Sequence, residues 1–515
     1  DQFLGNFFIP LFVECDNLSH AQQLANRISF LNDHSWTSLI EGYIERGEYS
    51  HAFGLYQKMR TSSIPPIIPA YIRILSTCAQ HSCLQLGIAL HNDIEKRTDL
   101  DDLKIWTVLI NMYVKCGCLE EAQSVFNNME VHCVVSWNSL LAGYAEHGLG
   151  QEVLDCSERL QMEGLYPNMV TYVISLKSCG CIGALVLGQE LHVEVTKIGL
   201  ENELLISTSL VDFYAKVGSL LEAQEVFDGL REQNVVSWSA LLTGYVEHGF
   251  CQEALIFLQE MHQSGVSPNA IVYVCALKAC GKLGAISKGI ETHKDIVVSE
   301  CETDQLVGVS LINMYARCGL LLEARVLFDD DLPDRDEVSW NSIISGYVEH
   351  GLGNDALSCY NEMKKAAKPP NVVTFLCVLS ACGHSGLSDE AQIVFENMTK
   401  KYGITPNLEH YTCLVSIFGF GGNFGKAISV IKMMPSSDYS SVWLAVLGAC
   451  SKWGNVELGR LAFEKAVQLN DTHGVAYMHM VNMYAATSMQ KGCRKNEVDI
   501  TRVNHISADN CGHNV

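Results

Sequence analysis

Zinc-dependent deamination is the most demanding chemistry of which this chain carries a fragment. His192-Val193-Glu194 has the H-x-E form, in which the histidine binds the metal and the glutamate moves protons. Such a site also needs two thiolates, spaced P-C-x-x-C, to complete the zinc ligands. No C-x-x-C occurs anywhere in the 515 residues. Cys116-x-Cys118 and Cys179-x-Cys181 are each one residue too short. His147, His248 and His350 each precede a glycine, and His505, Cys511 and His513 are scattered near the end of the chain. Neither a Gly-rich phosphate loop nor a nucleophile motif is found. These residues predict no catalytic residue, no metal site and no cofactor.

The elements that carry these residues repeat. The phrase GYIERG starts at Gly42, GYAEHG at Gly143, and GYVEHG at Gly244 and again at Gly346. The intervals are 101, 101 and 102 residues. Trp36, Trp137, Trp238 and Trp340 keep the same beat, as do Cys179, Cys280 and Cys382. Self-similarity at a fixed period is the signature of stacked units that bury their apolar faces only against their neighbours.

Each beat divides into three shorter units. Between Val134 and Asn234 they run 134–168, 169–203 and 204–234, with lengths of 35, 35 and 31 residues. In the first, Trp137, Leu140, Leu141 and Tyr144 fall at i, i+3, i+4 and i+7, one helical face. Gly148 and Gly150 are expected to break that helix. A second apolar stretch with Val153, Leu154 and Leu160 follows, and Gly164 and Pro167 close it. Each unit therefore reads as a helical hairpin, and the fold class as all-α: a right-handed superhelical α-solenoid of tandem helix-turn-helix repeats.

The triplet resembles the pentatricopeptide-repeat family, in the plant class that alternates standard, long-type and short repeats. VVSWNSLLAGYAEHG from Val134, VVSWSALLTGYVEHG from Val235 and EVSWNSIISGYVEHG from Glu337 are similar to the standard repeat. YVCALKACGKLGAISKG from Tyr273 resembles the long-type repeat, and LINMYARCGLLLEARVLFD from Leu311 the short one. The resemblance covers nearly all of 2–486. It places short repeats at 2–32, 103–133, 204–234, 305–336 and 408–438. Standard repeats fall at 33–67, 134–168, 235–269 and 337–371, and long-type repeats at 68–102, 169–203, 270–304 and 372–407. Within 439–486, the stretch from Ser440 to Asn470 resembles the first extension motif of the editing-factor subgroup. GVAYMHMVNMYAA resembles the opening of a second, truncated one. Residues 487–515 are polar and match nothing in the pattern, so they read as a divergent tail.

Composition sets bounds on the remaining classes. An apolar fraction of 48% suits helices buried on two sides. No apolar run reaches the roughly 18 to 20 residues of a membrane helix, so no span is expected. The 21 cysteines recur at repeat positions, which favours small buried thiols in a reducing compartment over a disulfide scaffold. The chain opens on Asp1 inside a repeat, so a preceding segment is expected, with any targeting peptide in it. The net charge of −23 is unusual for a nucleic-acid binder, because Lys and Arg on phosphates supply much of such affinity. Glu120, Glu121, Glu222 and Glu323 cluster in second helices and turns, where they are expected to face away from a ligand groove.

Repeats of this family read single-stranded RNA one base at a time with two or three side chains. The resemblance assigns that role to the fifth and last residues of each repeat. Asn6 with Asn32, Asn138 with Asn168, and Asn341 with Asn371 imply a pyrimidine. Thr208 with Asn234 and Ser239 with Asn269 imply adenine, and Thr107 with Cys133 leans towards a purine. In the last short repeat Thr412 pairs with Asp438, which implies guanine, or with Tyr439, one residue out of register. Thr37 with Ile67 and Val309 with Asp336 give no clear reading, and Ile72, Val173, Val274 and Leu376 of the long-type repeats read no edge. Val135, Val236 and Val338 stand at the second position, where the family sandwiches a base. Asn, Ser and Thr at a helix start are also ordinary N-caps, so both roles stand open at each position.

The resemblance implies an RNA-binding adaptor of plant mitochondria or chloroplasts. It would select a cytidine for C-to-U editing and recruit a cytidine deaminase in trans, with editing accessory proteins. Neither a membrane nor a small-molecule substrate is implied. An RNA stabilisation or processing factor, a protein-binding scaffold of the tetratricopeptide kind, and an enzyme whose catalytic domain lies outside this chain are the other readings.

Overall fold

The computed structural model describes residues 2–28, 30–61, 66–97, 102–301, 304–331, 335–435, 439–469 and 474–486. Asp438 and the tail 487–515 lie outside the described residues. The described secondary structure is helical throughout, and the fold class is all-α.

Each hairpin is two short helices joined by a tight turn. Between 134 and 234 the pairs are Val134–Glu146 with Gly150–Met162, Met169–Ile182 with Leu185–Ile198, and Leu204–Val217 with Leu220–Asp228. Turns of two or three residues force the two helices antiparallel. Two compact units divide between His248 and Gly249. In the first unit, each first helix from Gln2–Glu14 to Val235–Glu247 packs on the next first helix. In the second unit, the same relation runs from Ala270–Leu283 to Gly474–Ala486. Within each unit, second helices pack on their own first helix, and most also pack on the first helix that follows. The face spaced i, i+3, i+4 is buried, with Trp137, Leu140 and Leu141 fully enclosed.

The repeated phrase is a joint between hairpins. Its first glycine lets two helices touch. A Cβ on Gly143 would lie 2.5 Å from Val114 Cγ2, and one on Gly346 would lie 2.6 Å from Ala316 Cβ. On Gly244 it would lie 2.6 Å from Ala215 Cβ and 3.1 Å from the Ala215 Cα and carbonyl oxygen. The tyrosine reaches back to the preceding short hairpin, where Tyr245 Oη donates to Gln224 Oε1 at 3.0 Å. The histidine caps the helix, and the His350 Nε2–H donates to the Ala316 carbonyl at 2.6 Å. The final glycine makes the turn: Gly148 has φ of 74°, a left-handed conformation that costs a side chain energy. Gly150 departs from its expected role, because it starts the second helix rather than breaking the first. A Cβ there would meet Ile182 Cγ2 at 2.5 Å, so close packing explains this glycine.

The tryptophan completes the joint. Phe126–Trp137, Phe227–Trp238 and Phe328–Trp340 meet edge to face at centroid distances of 4.5, 4.7 and 4.6 Å. The last pair is one residue further apart in sequence, which accounts for the 102-residue interval. A π-helical segment, Leu327–Asp331, accompanies the extra residue, and the ring contact is unchanged. At Trp36 the phenylalanine is replaced by Ala25, and a cavity of about 360 Å³ opens beside Ala25, Trp36, Leu39 and Leu55.

The long-to-short joint has its own recurrent parts. His91, His192 and His293 each hydrogen-bond a tyrosine hydroxyl 22 residues on, at Tyr113, Tyr214 and Tyr315, all at 2.9 Å. Cys179, Cys280 and Cys382 are fully enclosed on first helices, and burial pushes their thiols up to about 11. They act as small apolar groups at neutral pH.

Two substitutions test the joints. In Gly244→Ala the helix gains about 1 kcal/mol of propensity, but overpacking against the Ala215 backbone costs about 1–3 kcal/mol. We expect a lower thermal midpoint, and an unchanged or higher one would contradict the close-approach account. Ala25→Phe fills the cavity beside Trp36 and is expected to stabilise the chain by about 0.5–2 kcal/mol.

Candidate nucleic-acid interface

The candidate reading side chains gather at one edge of each hairpin. The fifth residues lie near the start of the first helices, and most last residues of the repeats cap the first helix of the following hairpin. Asn32, Asn168, Asn234, Asn269 and Asn371 each place Oδ1 on a backbone N–H of the following first turn, at Ser35, Thr171, Ser237, Val272 and Thr374. These distances run from 2.8 to 3.1 Å. The capping role that such residues ordinarily play is therefore real. Capping uses the amide oxygen, which at Asn234 also accepts the Val236 N–H at 3.1 Å, and not the NH₂ group, which at Asn371 donates to Glu337 Oε2 at 3.2 Å.

In three repeats the two candidate residues meet. Asn138 Nδ2 donates to Asn168 Oδ1 at 3.0 Å, and Asn341 Nδ2 donates to Asn371 Oδ1 at 3.1 Å. Asn6 Oδ1 accepts the Asn32 backbone N–H at 2.9 Å, while its Nδ2 donates to the Phe30 carbonyl at 3.0 Å. The other candidates hold local bonds. Thr107 and Thr412 hydroxyls donate to the Leu103 and Leu408 carbonyls at 2.7 and 2.8 Å, and the Ser239 hydroxyl donates to Val236 at 2.9 Å. Cys133 caps its helix by accepting the Ser136 N–H on sulfur at 3.5 Å. Thr208 Oγ1 is enclosed and has no partner among the described residues, and no hydrogen bond joins it to Asn234 among them.

Val135, Val236 and Val338 are exposed by 61%, 54% and 55%, beside these polar groups. They are not alone. Phe3, Val170, Leu205, Ile271, Leu306 and Val373 occupy the same second position of their first helices and are also exposed. The sequence reading named three of these nine. The missing signal was phase: an aliphatic second residue recurs in every class of hairpin, including those that read no edge.

Charge is partly segregated. Glu120, Glu121, Glu222 and Glu323 stand exposed in the first turns of second helices, where the helix dipole favours them. In an antiparallel hairpin that is the far edge, about 20 Å from the starts of first helices 13 residues long. Asp102, Asp304 and Asp336 do cap first helices at the near edge. Lys115 and Arg317 are paired to Glu146 and Glu349 of the following hairpins. Lys177 and Lys278 are exposed one helical turn past the fifth positions and have no ion pair among the described residues.

The H-x-E fragment takes part in packing. His192 bonds Tyr214, and the Glu194 carboxylate accepts from Gln161 Nε2 at 3.3 Å. Among the described residues, no three His, Cys, Asp or Glu side chains are grouped as metal ligands. No described helix is long and apolar enough to cross a membrane.

The chain matches a family model described as "PPR repeat" at 34–64, 104–134, 135–165, 206–235, 309–330, 373–402 and 409–439. A second, described as "PPR repeat family", matches 233–282 and 335–384. A pentatricopeptide repeat-containing protein of Arabidopsis thaliana is 32% identical over 98% of this chain and 64% of its own length. Another from the same plant, designated chloroplastic, is 32% identical over 93% of this chain and 64% of its own. A third is 30% identical over 96% of this chain and 72% of its own. The chain thus spans about two thirds of the length of these relatives. The crystal structure of the pentatricopeptide repeat protein PPR10 from maize resembles it with a TM-score of 0.64 at 17% identity, covering 99% of this chain and 75% of that one. PPR10 in complex with an 18-nt psaJ RNA element gives 0.60 at 15% identity, covering 96% and 83%.

Burial holds His91 and His192 below the ordinary imidazole value. The unfolded chain then takes up protons that the folded state disfavours, so the stability these neutral rings support is present above the ordinary histidine pKa and is lost as pH falls below it. We expect the thermal midpoint to fall between pH 7 and pH 5.5, and to fall less in a His91→Gln/His192→Gln variant. An equal fall in both proteins would remove these histidines from the account.

Proposed function

This chain belongs to the pentatricopeptide-repeat family, and from that premise we propose that it binds single-stranded RNA along the edge where its first helices begin. The observation that carries the proposal is the repeated pairing of an exposed aliphatic second residue with polar fifth and last residues. A base laid on such an aliphatic group gains apolar contact, and its edge faces amides and hydroxyls. The hairpin register is the one proposed from the sequence, with extension segments over 439–486.

Read from the first hairpin, the RNA runs pyrimidine, two unread, purine, pyrimidine, unread, adenine, adenine, two unread, pyrimidine. The sequence pattern assigns the two adenines to Thr208 with Asn234 and to Ser239 with Asn269. The finer role we propose is selection of a cytidine for C-to-U editing in a plant organelle. A deaminase would be recruited in trans through the extension segment and the long-type hairpins. The organelle is suggested by relatives designated chloroplastic. The net charge of −23 favours a second reading, a protein-binding scaffold.

A mobility shift separates the two. The purified chain is titrated with an RNA carrying the pattern above and with one in which both adenines are pyrimidines. We expect tight binding to the first and a loss of about 1–3 kcal/mol per changed base. Equal binding, or none, to both RNAs would reject base reading and favour the scaffold.

A further inference from the structure

Two readers are gripped from the hairpin that follows them. Asn138 Oδ1 accepts from Thr171 Oγ1 at 2.8 Å, and Asn341 Oδ1 accepts from Thr374 Oγ1 at 2.6 Å. Thr171 and Thr374 are completely buried, and each is the third residue of the next first helix. The two cases lie in different compact units.

The bonds form a chain with a fixed direction. It starts at the backbone N–H of Thr171, which always donates. That donor makes Asn168 Oδ1 an acceptor at 3.1 Å. Asn168 Oδ1 then accepts a hydrogen bond from Asn138 Nδ2 at 3.0 Å, so the amide nitrogen of Asn138 must face it. The oxygen of the same amide turns to the Thr171 hydroxyl. That hydroxyl accepts the Asn168 backbone N–H at 3.2 Å, and its single proton also has Asn168 Oδ1 within reach at 3.1 Å, as the Thr374 proton has Asn371 Oδ1. The same sequence runs from Thr374 N–H through Asn371 Oδ1 to Asn341, with distances of 3.0 and 3.1 Å.

An asparagine amide offers two donors and two acceptor sites. Here one of each is spent within the protein. What remains is one donor and one acceptor in a single order, since turning the amide over would set two oxygens against each other. After the serine reader Ser239 the equivalent residue is Val272, which has no hydroxyl. A hydroxyl reader has no amide face to fix. Asn6 is held instead by backbone groups of Phe30 and Asn32, while the Ser35 hydroxyl donates to the Asn6 carbonyl.

We propose that Thr171 and Thr374 are specificity-determining positioning residues, which set base preference by holding the Asn138 and Asn341 amides in one orientation. This rests on the RNA-binding reading above and adds a third residue, from the next hairpin, to each amide reading pair.

The test measures Kd for RNAs carrying U, C, A or G opposite the Asn138 hairpin, with Thr171→Val, Thr171→Ser and the unaltered chain. The Asn341 hairpin is treated in the same way with Thr374→Val and Thr374→Ser. We expect the unaltered chain and the serine variants to prefer pyrimidine over purine by roughly 5- to 100-fold, the range of a good edge contact. In the valine variants that ratio should fall several-fold, with preferences at other hairpins unchanged. A valine variant that loses affinity equally for all four RNAs has lost only a helix cap, and that result would overturn the proposal. An unaltered chain with no base preference at either position would instead defeat the RNA-reading account, and this proposal with it. Should Thr171→Val fail to fold, Thr374→Val in the other unit carries the same test.

Discussion

Everything in this molecule depends on how closely one first helix can lie against the next. A hairpin of 31 to 36 residues has too little interior to stand alone, so each apolar face must be covered by a neighbour. The glycines of the repeated phrase set that distance, since any side chain at Gly143, Gly244 or Gly346 would meet Val114, Ala215 or Ala316. Close packing along the stack also fixes where the helix starts fall. Because those starts carry the polar caps and the exposed aliphatic residues, the same spacing lays out the candidate interface.

The two roles of the cap residues reinforce one another. An asparagine that caps a helix has its oxygen held by a backbone N–H, which makes it a rigid acceptor for the reader across from it. On the proposed RNA-reading account, capping orders the site and does not compete with recognition. Burial of a polar pair is tolerated at Asn138 and Asn341 because each amide group there finds a partner within the protein.

Much of this was legible in the residues. The 101-residue beat and the i, i+3, i+4 spacing around Trp137 gave helical hairpins, and the all-α fold follows from them. Gly150 was misread as a breaker, since its role lies in contact with Ile182, more than thirty residues away. The π-helical turn at Leu327–Asp331 was visible only as a single surplus residue, and its consequence needed the Phe328–Trp340 contact. The roles of Thr171 and Thr374 were hidden for a similar reason. Their hydroxyls act on an asparagine 33 residues earlier, across a hairpin boundary that a repeat-by-repeat reading treats as a border.

The central claim is that bases are read one per hairpin along the edge of helix starts. Its most direct test is to retain RNAs from a random single-stranded pool on the purified chain and sequence them. The account predicts enrichment of adjacent adenines flanked by pyrimidines at the spacing set by the Asn138 and Asn341 hairpins. A retained pool with no positional preference, or no retention at a salt concentration near the physiological one, would contradict it.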